Sequence, residues 1–415
     1  MSRNLLLLSY SFPPANIIGA VRPYQIARFF QDRGWKVHVI SLIDSSIADT
    51  DPRDISGIRS VRIHAPRIVS WLNTGAAANG RFTKFIFPLL RGIKFLIRLL
   101  IIPEHFVFVR KICVEQAIRL AAETRFDLVV SSALPFTIHS AACRIARQLA
   151  VPWVADNRDL WAASPYRKAL PFRRILDRHY ERSVLAGADL ILGISESMVT
   201  YYRESGGFEN SLLVMNGYPS LPTCNAAGEV IGDTLDIVYG GILYGSVRDP
   251  SPLLEAIVSD EQLKSRACVR FFGSEPDTVA SLIKLFSECR IEYAARVSKS
   301  EIASIYRNAT LLLVILGEGA FENGVLTGKF FEYLTYGKPV LAIAPEESEL
   351  AQLINGHGLG LATRDPLRIA GYLKSLLNGD VPKTIRPPYE LSIEYQLSRL
   401  YKAVEELPAF SRAGH

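Results

Sequence analysis

Two α/β units, each a parallel sheet flanked by helices, are the fold class this sequence predicts. Three observations predict it. The chain has 415 residues, more than one hydrophobic core accommodates, so two domains of about 200 residues each are expected. Short apolar runs bounded by turn residues alternate with helical stretches, the pattern of βα units and parallel sheet. That alternation stops at NGYPSLPTCNAAGEVIGD, Asn216 to Asp233, a stretch rich in Gly, Pro and small residues, and then starts again.

In the first half the strands are read at LLLLS, WKVHVISL, FDLVVSS, VPWVADN, DLILGIS and SLLVMNG. In the second they are read at LDIVYGG, ACVRFFGS, RIEYAAR, ATLLLVIL, KPVLAIA and LGLATRD. Pro387 and Pro388 then break the chain before a final helix. The boundaries expected are therefore 1–215, 216–386 and 387–415, the last a helix that crosses back to the first domain.

Composition narrows the class further. Apolar residues make up 49% and charged residues 21%, which fits a globular chain with much buried sheet and excludes a disordered one. Five cysteines, Cys113, Cys143, Cys224, Cys268 and Cys289, lack CxxC spacing. That argues against a disulfide framework or zinc site and for a reducing cytosol. The opening MSRNLLLLSYSFPP reads as a first strand rather than a signal peptide.

Residues 81–103, RFTKFIFPLLRGIKFLIRLLIIP, carry five basic residues and no acidic one. Arg91, Lys94 and Arg98 interrupt the apolar run, so it is too broken to span a bilayer. Placed at helical spacing beside Ile93, Leu96, Ile97 and Leu100, they suit a helix lying in the headgroup plane of an anionic membrane. A buried hairpin whose basic ends reach solvent is the alternative. Nucleic acid is not expected, because these basic residues are mixed with aliphatic ones rather than interleaved with aromatics.

Ligands of open α/β sheets bind beyond the carboxyl ends of the strands, where helix N-termini attract anions. The first βα junction, YSFPPANIIGAVRPYQIARFF, places Gly19 there, before a helix beginning near Arg22. Its counterpart, VYGGILYGSVRDPSP, places Gly240, Gly241 and Gly245 after a strand, followed by Arg248. Glycines with an arginine suit a phosphate, which Arg meets bidentately; a solvated surface arginine is the alternative. His139 lies on a helix after one strand, and Asp156, Arg158, Asp159 and Trp161 follow the next. Packing or capping roles compete with functional ones for both His139 and Asp159.

In NGVLTGKFFEYLTYGKPVLAI, a helix starting near Thr327 turns the N–H groups of Thr327, Gly328 and Lys329 towards a diphosphate. Glu332 lies one turn inside, on the face of Gly328, where a carboxylate can accept from two neighbouring hydroxyls, as on a ribose. An exposed Glu332 paired with a lysine is the competing reading. No HxH, HExxH or DxD spacing stands at a strand end, so a metal-independent site is favoured.

These stretches together resemble the GT-B glycosyltransferases, in particular the retaining family 4 group that builds bacterial surface polysaccharides. YSFPPANIIGAVRPYQIARFFQDRGWKVHVISL resembles that family's opening strand, glycine loop and first helix; LPFTIHSAA with VADNRDLW its acceptor side; GKFFEYLTYGKPVLA its donor-side helix and strand. The resemblance implies two Rossmann-like domains facing across a cleft. An acceptor, lipid-linked or saccharide, would be held by the first domain and a nucleotide-sugar by the second. Transfer would be metal-free and retaining, with the nucleotide-sugar as substrate and no cofactor.

By the same resemblance Glu332 matches the second glutamate of the family's E-x7-E pattern, the first falling at Gly324. Arg248 and Lys329 stand for its diphosphate-binding pair. His139 and Asp159 become candidates for contacting the sugar or the acceptor hydroxyl. The enzyme would work in the cytoplasm, attached peripherally to the membrane through 81–103. A sugar-nucleotide epimerase of the same architecture and a non-catalytic nucleotide-binding relative are the competing readings.

Overall fold

The structure, a computed structural model, describes residues 2–44, 47–73, 92, 101–164, 170–219, 234–245, 247–319, 322–382 and 384–411. The membrane contact expected at 81–103 thus lies, but for Gly92 and its last three residues, outside the described residues.

The chain divides into two units, Met1–Val214 with Leu397–His415, and Met215–Gln396. The first holds a seven-stranded sheet of order β3-β2-β1-β4-β5-β6-β7. Its strands are β1 (Asn4–Ser9), β2 (Lys36–Ile43), β3 (Arg59–His64), β4 (Leu128–Ser132), β5 (Trp153–Asp156), β6 (Leu190–Gly193) and β7 (Ser211–Leu213). The second holds a six-stranded sheet of order β10-β9-β8-β11-β12-β13. Its strands are β8 (Leu235–Gly240), β9 (Ala267–Phe272), β10 (Arg290–Ala294), β11 (Leu311–Ile315), β12 (Val340–Ile343) and β13 (Gly360–Ala362). Every strand pairing is parallel.

Central strands of a parallel sheet are covered on both faces and therefore read as unbroken apolar runs. Leu5 to Leu8 and Leu311 to Leu313 are wholly buried for this reason. The strand absent from the sequence reading is β3, RSVRIH, whose residues are half-buried or exposed. At a sheet edge only one side pairs and polar residues are tolerated, so no apolar run marks it.

In both sheets the strand order reverses direction once, between β1 and β4 and between β8 and β11. Crossovers leave on opposite faces there, opening a crevice at the strands' carboxyl ends. The expected site residues follow these strands: Gly19 follows β1, His139 follows β4, Gly240 closes β8 with Gly241 and Arg248 after it, and Thr327 to Glu332 follow β11.

The helix Ile393–Glu405 straddles the division, and its later turns belong to the first unit. Tyr401 packs on Phe30 at 5.5 Å between ring centroids and on Phe29 at 6.3 Å. In the short helix that follows, Pro408–Ser411, Phe410 meets Trp35 at 5.8 Å. Tilted and edge-on aromatic pairs of this kind contribute roughly 0.5–1.5 kcal/mol each beyond the area they bury.

Candidate functional site

In the second unit, β8 ends on Gly240 and the chain turns at Gly241, whose φ of +148° suits glycine alone. A Cβ on Gly241 would fall 1.6 Å from Lys329 Nζ, and one on Gly240 would fall 1.8 Å from the Tyr306 hydroxyl. The two glycines thus let a lysine and a tyrosine close on the strand end. The Lys329 ammonium also lies 4.9 Å from the Tyr239 ring centroid. Arg248 stacks over Tyr244 at 4.8 Å, and its backbone N–H donates to the Leu243 carbonyl at 3.0 Å.

Burial, and then the repulsion of Arg248, lower the Lys329 pKa to about 8, with Glu332 opposing the shift. Two cations crowded in this way favour an anion between them. The Glu332 side chain reaches solvent, yet the protein packed around it raises its pKa, while Lys329 and Lys299 pull it back. The helix carrying both, Gly328–Leu334, begins where expected, with Thr327 as N-cap. The Thr327 hydroxyl accepts from Phe330 N–H at 3.3 Å.

Most N–H groups of the glycine loop are already engaged within the protein. Gly240 N–H donates to the Tyr333 hydroxyl at 3.2 Å, Gly241 N–H to the Phe272 carbonyl at 2.8 Å, and Leu243 N–H to Glu275 Oε2 at 2.9 Å. Glu275 also takes backbone hydrogen bonds from Tyr244 and Gly245. An internal carboxylate therefore occupies the place an anion would take in that loop, and the positive charge offered to a ligand comes from Arg248 and Lys329.

Two acidic residues at this site escaped the sequence reading. Glu275 follows β9, where no motif points to it. Glu322 is buried in a short turn, Glu322–Gly324, and accepts from Gly317 N–H at 3.3 Å, just beyond β11. It lies ten residues before Glu332 instead of the eight that led to Gly324. The only sequence signal for it was that near miss in spacing.

The first unit brings Gly19, Arg158 and Asp159 together. Arg158 Nη1 donates to the Gly19 carbonyl at 2.9 Å, and its Nε donates to the Ala133 carbonyl. Asp159 is open to solvent, and the packed protein around it raises its pKa against the opposing charge of Arg158. Below them Asp156 is buried and grips Arg22, which donates through Nε at 2.9 Å and Nη2 at 2.8 Å. Ser132 Oγ donates to Asp156 at 2.7 Å. Burial pushes that carboxyl up, but Arg22 and Ser132 hold it below the ordinary range.

His139 is placed differently from the expectation. Its ring is wholly buried. Nδ1 lies 2.8 Å from Ser131 Oγ and Nε2 lies 3.2 Å from Asn157 Oδ1. Asn157 Oδ1 can only accept, so the ring proton resides on Nε2 and Nδ1 accepts from Ser131 Oγ, which in turn accepts from Trp153 Nε1 at 2.7 Å. Burial lowers its pKa to about 4, which keeps the ring neutral. His139 thus supports Asn157 and the strand-end loop from beneath and has no surface for a substrate.

Residues 19–217 match the family described as "Glycosyl transferase 4-like domain". Among solved structures, a glycosyltransferase from Rickettsia africae superposes with a TM-score of 0.64 at 13% identity, covering 98% of each chain. The sucrose-phosphate synthase of Thermosynechococcus elongatus superposes with a TM-score of 0.56 at 16% identity, covering 97% of this chain and 99% of the other. A UDP-GlcNAc 2-epimerase from Neisseria meningitidis, bound to UDP-GlcNAc, superposes with a TM-score of 0.54 at 10% identity, with 97% and 99% covered. None of the curated protein sequences matches the chain. The two parallel sheets and these superpositions define the class at the level of fold, two Rossmann-like units of the GT-B type. Within that fold the stretch 19–217 is similar to glycosyl transferase 4-like domains.

Proposed function

We propose that this protein transfers a sugar from a nucleotide-sugar donor to a lipid-linked or saccharide acceptor in the assembly of a cell-surface polysaccharide, without a metal and with retention at the anomeric carbon. The observation that carries the proposal is the gathering of Arg248, Lys329 and Glu332 at the carboxyl ends of β8 and β11. Arg248 and Lys329 repel each other, and a diphosphate between them relieves that repulsion. Glu332 accepts hydrogen bonds from two ribose hydroxyls. As the bond from the anomeric carbon to the diphosphate breaks, the acceptor oxygen bonds to that carbon, its proton passes to the departing phosphate oxygen, and the electron pair of the broken bond leaves with the nucleoside diphosphate. Charge develops on the leaving phosphate, where the two cations stabilise it most. In the first unit Asp159 is the residue suited to meet the acceptor hydroxyl, and peripheral attachment through 81–103 belongs to the same proposal.

Donor binding tests this reading. Calorimetric titration with UDP-, GDP- and dTDP-sugars should find one that binds, and Glu332→Ala should weaken it by at least about tenfold, because each hydrogen bond to a charged group contributes ~1.5–3 kcal/mol. Equal affinity in a folded Glu332→Ala variant would overturn the assignment of the donor site.

A further inference from the structure

The helix Pro171–Leu185 of the first unit is built inside out. Its buried face carries charge: Arg173, Asp177 and Glu181 are each enclosed, with Arg173 Nε donating to Asp177 Oδ1 at 3.0 Å and Tyr201 donating to Glu181 Oε2 at 2.8 Å. Its outer face carries large apolar side chains: Phe172 is 51% exposed, Ile175 70% and Leu176 46%, with Leu170 just before the helix at 48%. A surface helix ordinarily does the reverse. Beside that apolar stripe Arg174, Arg178 and Arg182 recur four apart and are exposed, and none of the helix's exposed positions is acidic.

We infer that this face docks on an anionic lipid surface, with Phe172, Ile175 and Leu176 entering the headgroup boundary and the three arginines meeting lipid phosphates. A contiguous apolar patch rimmed by one sign of charge marks an interaction surface, and apolar side chains flanked by arginines suit an interface that is apolar below and anionic above. A second, separate observation agrees. Arg173 Nη2 donates to the carbonyls of Ile101 at 2.6 Å and Pro103 at 2.8 Å. The buried charge of this helix thus pins the end of the stretch 81–103, whose sequence holds five basic residues and no acidic one. The helix is charged inside because Arg173 must reach those carbonyls, and it is apolar outside because its outer face meets lipid.

Co-sedimentation of the full chain with vesicles tests the inference without reference to activity, so its outcome is independent of the donor-site reading. The parent should pellet with phosphatidylcholine vesicles containing phosphatidylglycerol, far less with phosphatidylcholine alone, and be released in high salt. Arg174→Gln, Arg178→Gln and Arg182→Gln together should lower partition on the order of a hundredfold, since each arginine near an anionic surface contributes about fivefold. Phe172→Ser, Ile175→Ser and Leu176→Ser together should lower it by a comparable factor, leaving only the weaker attachment that 81–103 supplies. Should either triple variant not fold, Ile175→Ser alone, at the most exposed of these positions, should still weaken binding measurably while melting as the parent does. Binding of the folded variants equal to the parent's, or no binding by the parent, overturns the inference. A parent that instead dimerises in solution, and becomes monomeric on the serine substitutions, assigns the face to a second copy of the chain and overturns it too.

Discussion

Lys329 shows how much of this site depends on a single close approach. Its ammonium reaches the end of β8 only because position 241 lacks a side chain, and burial together with Arg248 lowers its pKa to about 8. As pH rises through that value the free site loses the charge, while a bound diphosphate holds it. Nucleotide affinity in the parent should therefore fall steadily from about pH 7 to about pH 9, by up to tenfold per unit. In Lys329→Gln the affinity should be weaker throughout and nearly level over the same range. Parallel slopes in calorimetric titrations of the two proteins would remove Lys329 from the diphosphate. Legibility varies sharply at this scale. Thr327, Gly328, Lys329 and Glu332 could be read because one short helix spaces them along the chain. Glu275 and Glu322 could not, because their importance comes from backbone N–H groups 32 and five residues away that only the folded loops deliver. His139 was read as available because spacing places it after β4, but spacing carries no information on burial.

Among the elements, the helix Pro171–Leu185 departs furthest from the sequence pattern. Periodicity alone would turn Phe172, Ile175 and Leu176 inward, whereas Arg173, Asp177 and Glu181 hold that side instead. Glu181 records the cost. Burial raises its pKa to about 7, against the hydrogen bond from Tyr201. The sign follows from proton counting. Between an ordinary carboxylate pKa and about 7 the folded chain keeps a proton the unfolded chain has released, so stability falls as pH rises through that window. Above it the full cost is present, on the order of 3 kcal/mol. Glu181→Gln, which keeps the shape and an acceptor for Tyr201, should melt progressively higher than the parent as pH is raised from about 5 to about 8. A difference in Tm that does not change with pH would mean that Glu181 does not ionise in this range. The strands tell the opposite story: apolar runs such as Leu5–Leu8 and Leu311–Ile315 are legible because both their faces are covered, and β3 is not, because an edge strand needs no such run.

At the scale of the whole molecule, the repetition of one design accounts for where the chemistry lies. Each unit reverses its strand order once, between β1 and β4 or between β8 and β11, and each candidate residue follows one of those strands or its immediate neighbour. The restart of the apolar pattern after Asn216 made this repetition legible in the sequence. Among the described residues no helix is long and apolar enough to cross a membrane, and no three His, Cys, Asp or Glu side chains gather as a metal set. The same fold also serves the epimerase from Neisseria meningitidis, so architecture alone does not separate transfer from epimerisation. One measurement does. Mass spectrometry of lipid-linked and saccharide acceptors incubated with the protein, a panel of UDP-, GDP- and dTDP-sugars and EDTA should show one acceptor heavier by a sugar residue, with the matching nucleoside diphosphate released in equal amount. An inverted sugar still attached to its nucleotide, or transfer that stops with EDTA and returns with manganese, would contradict the account.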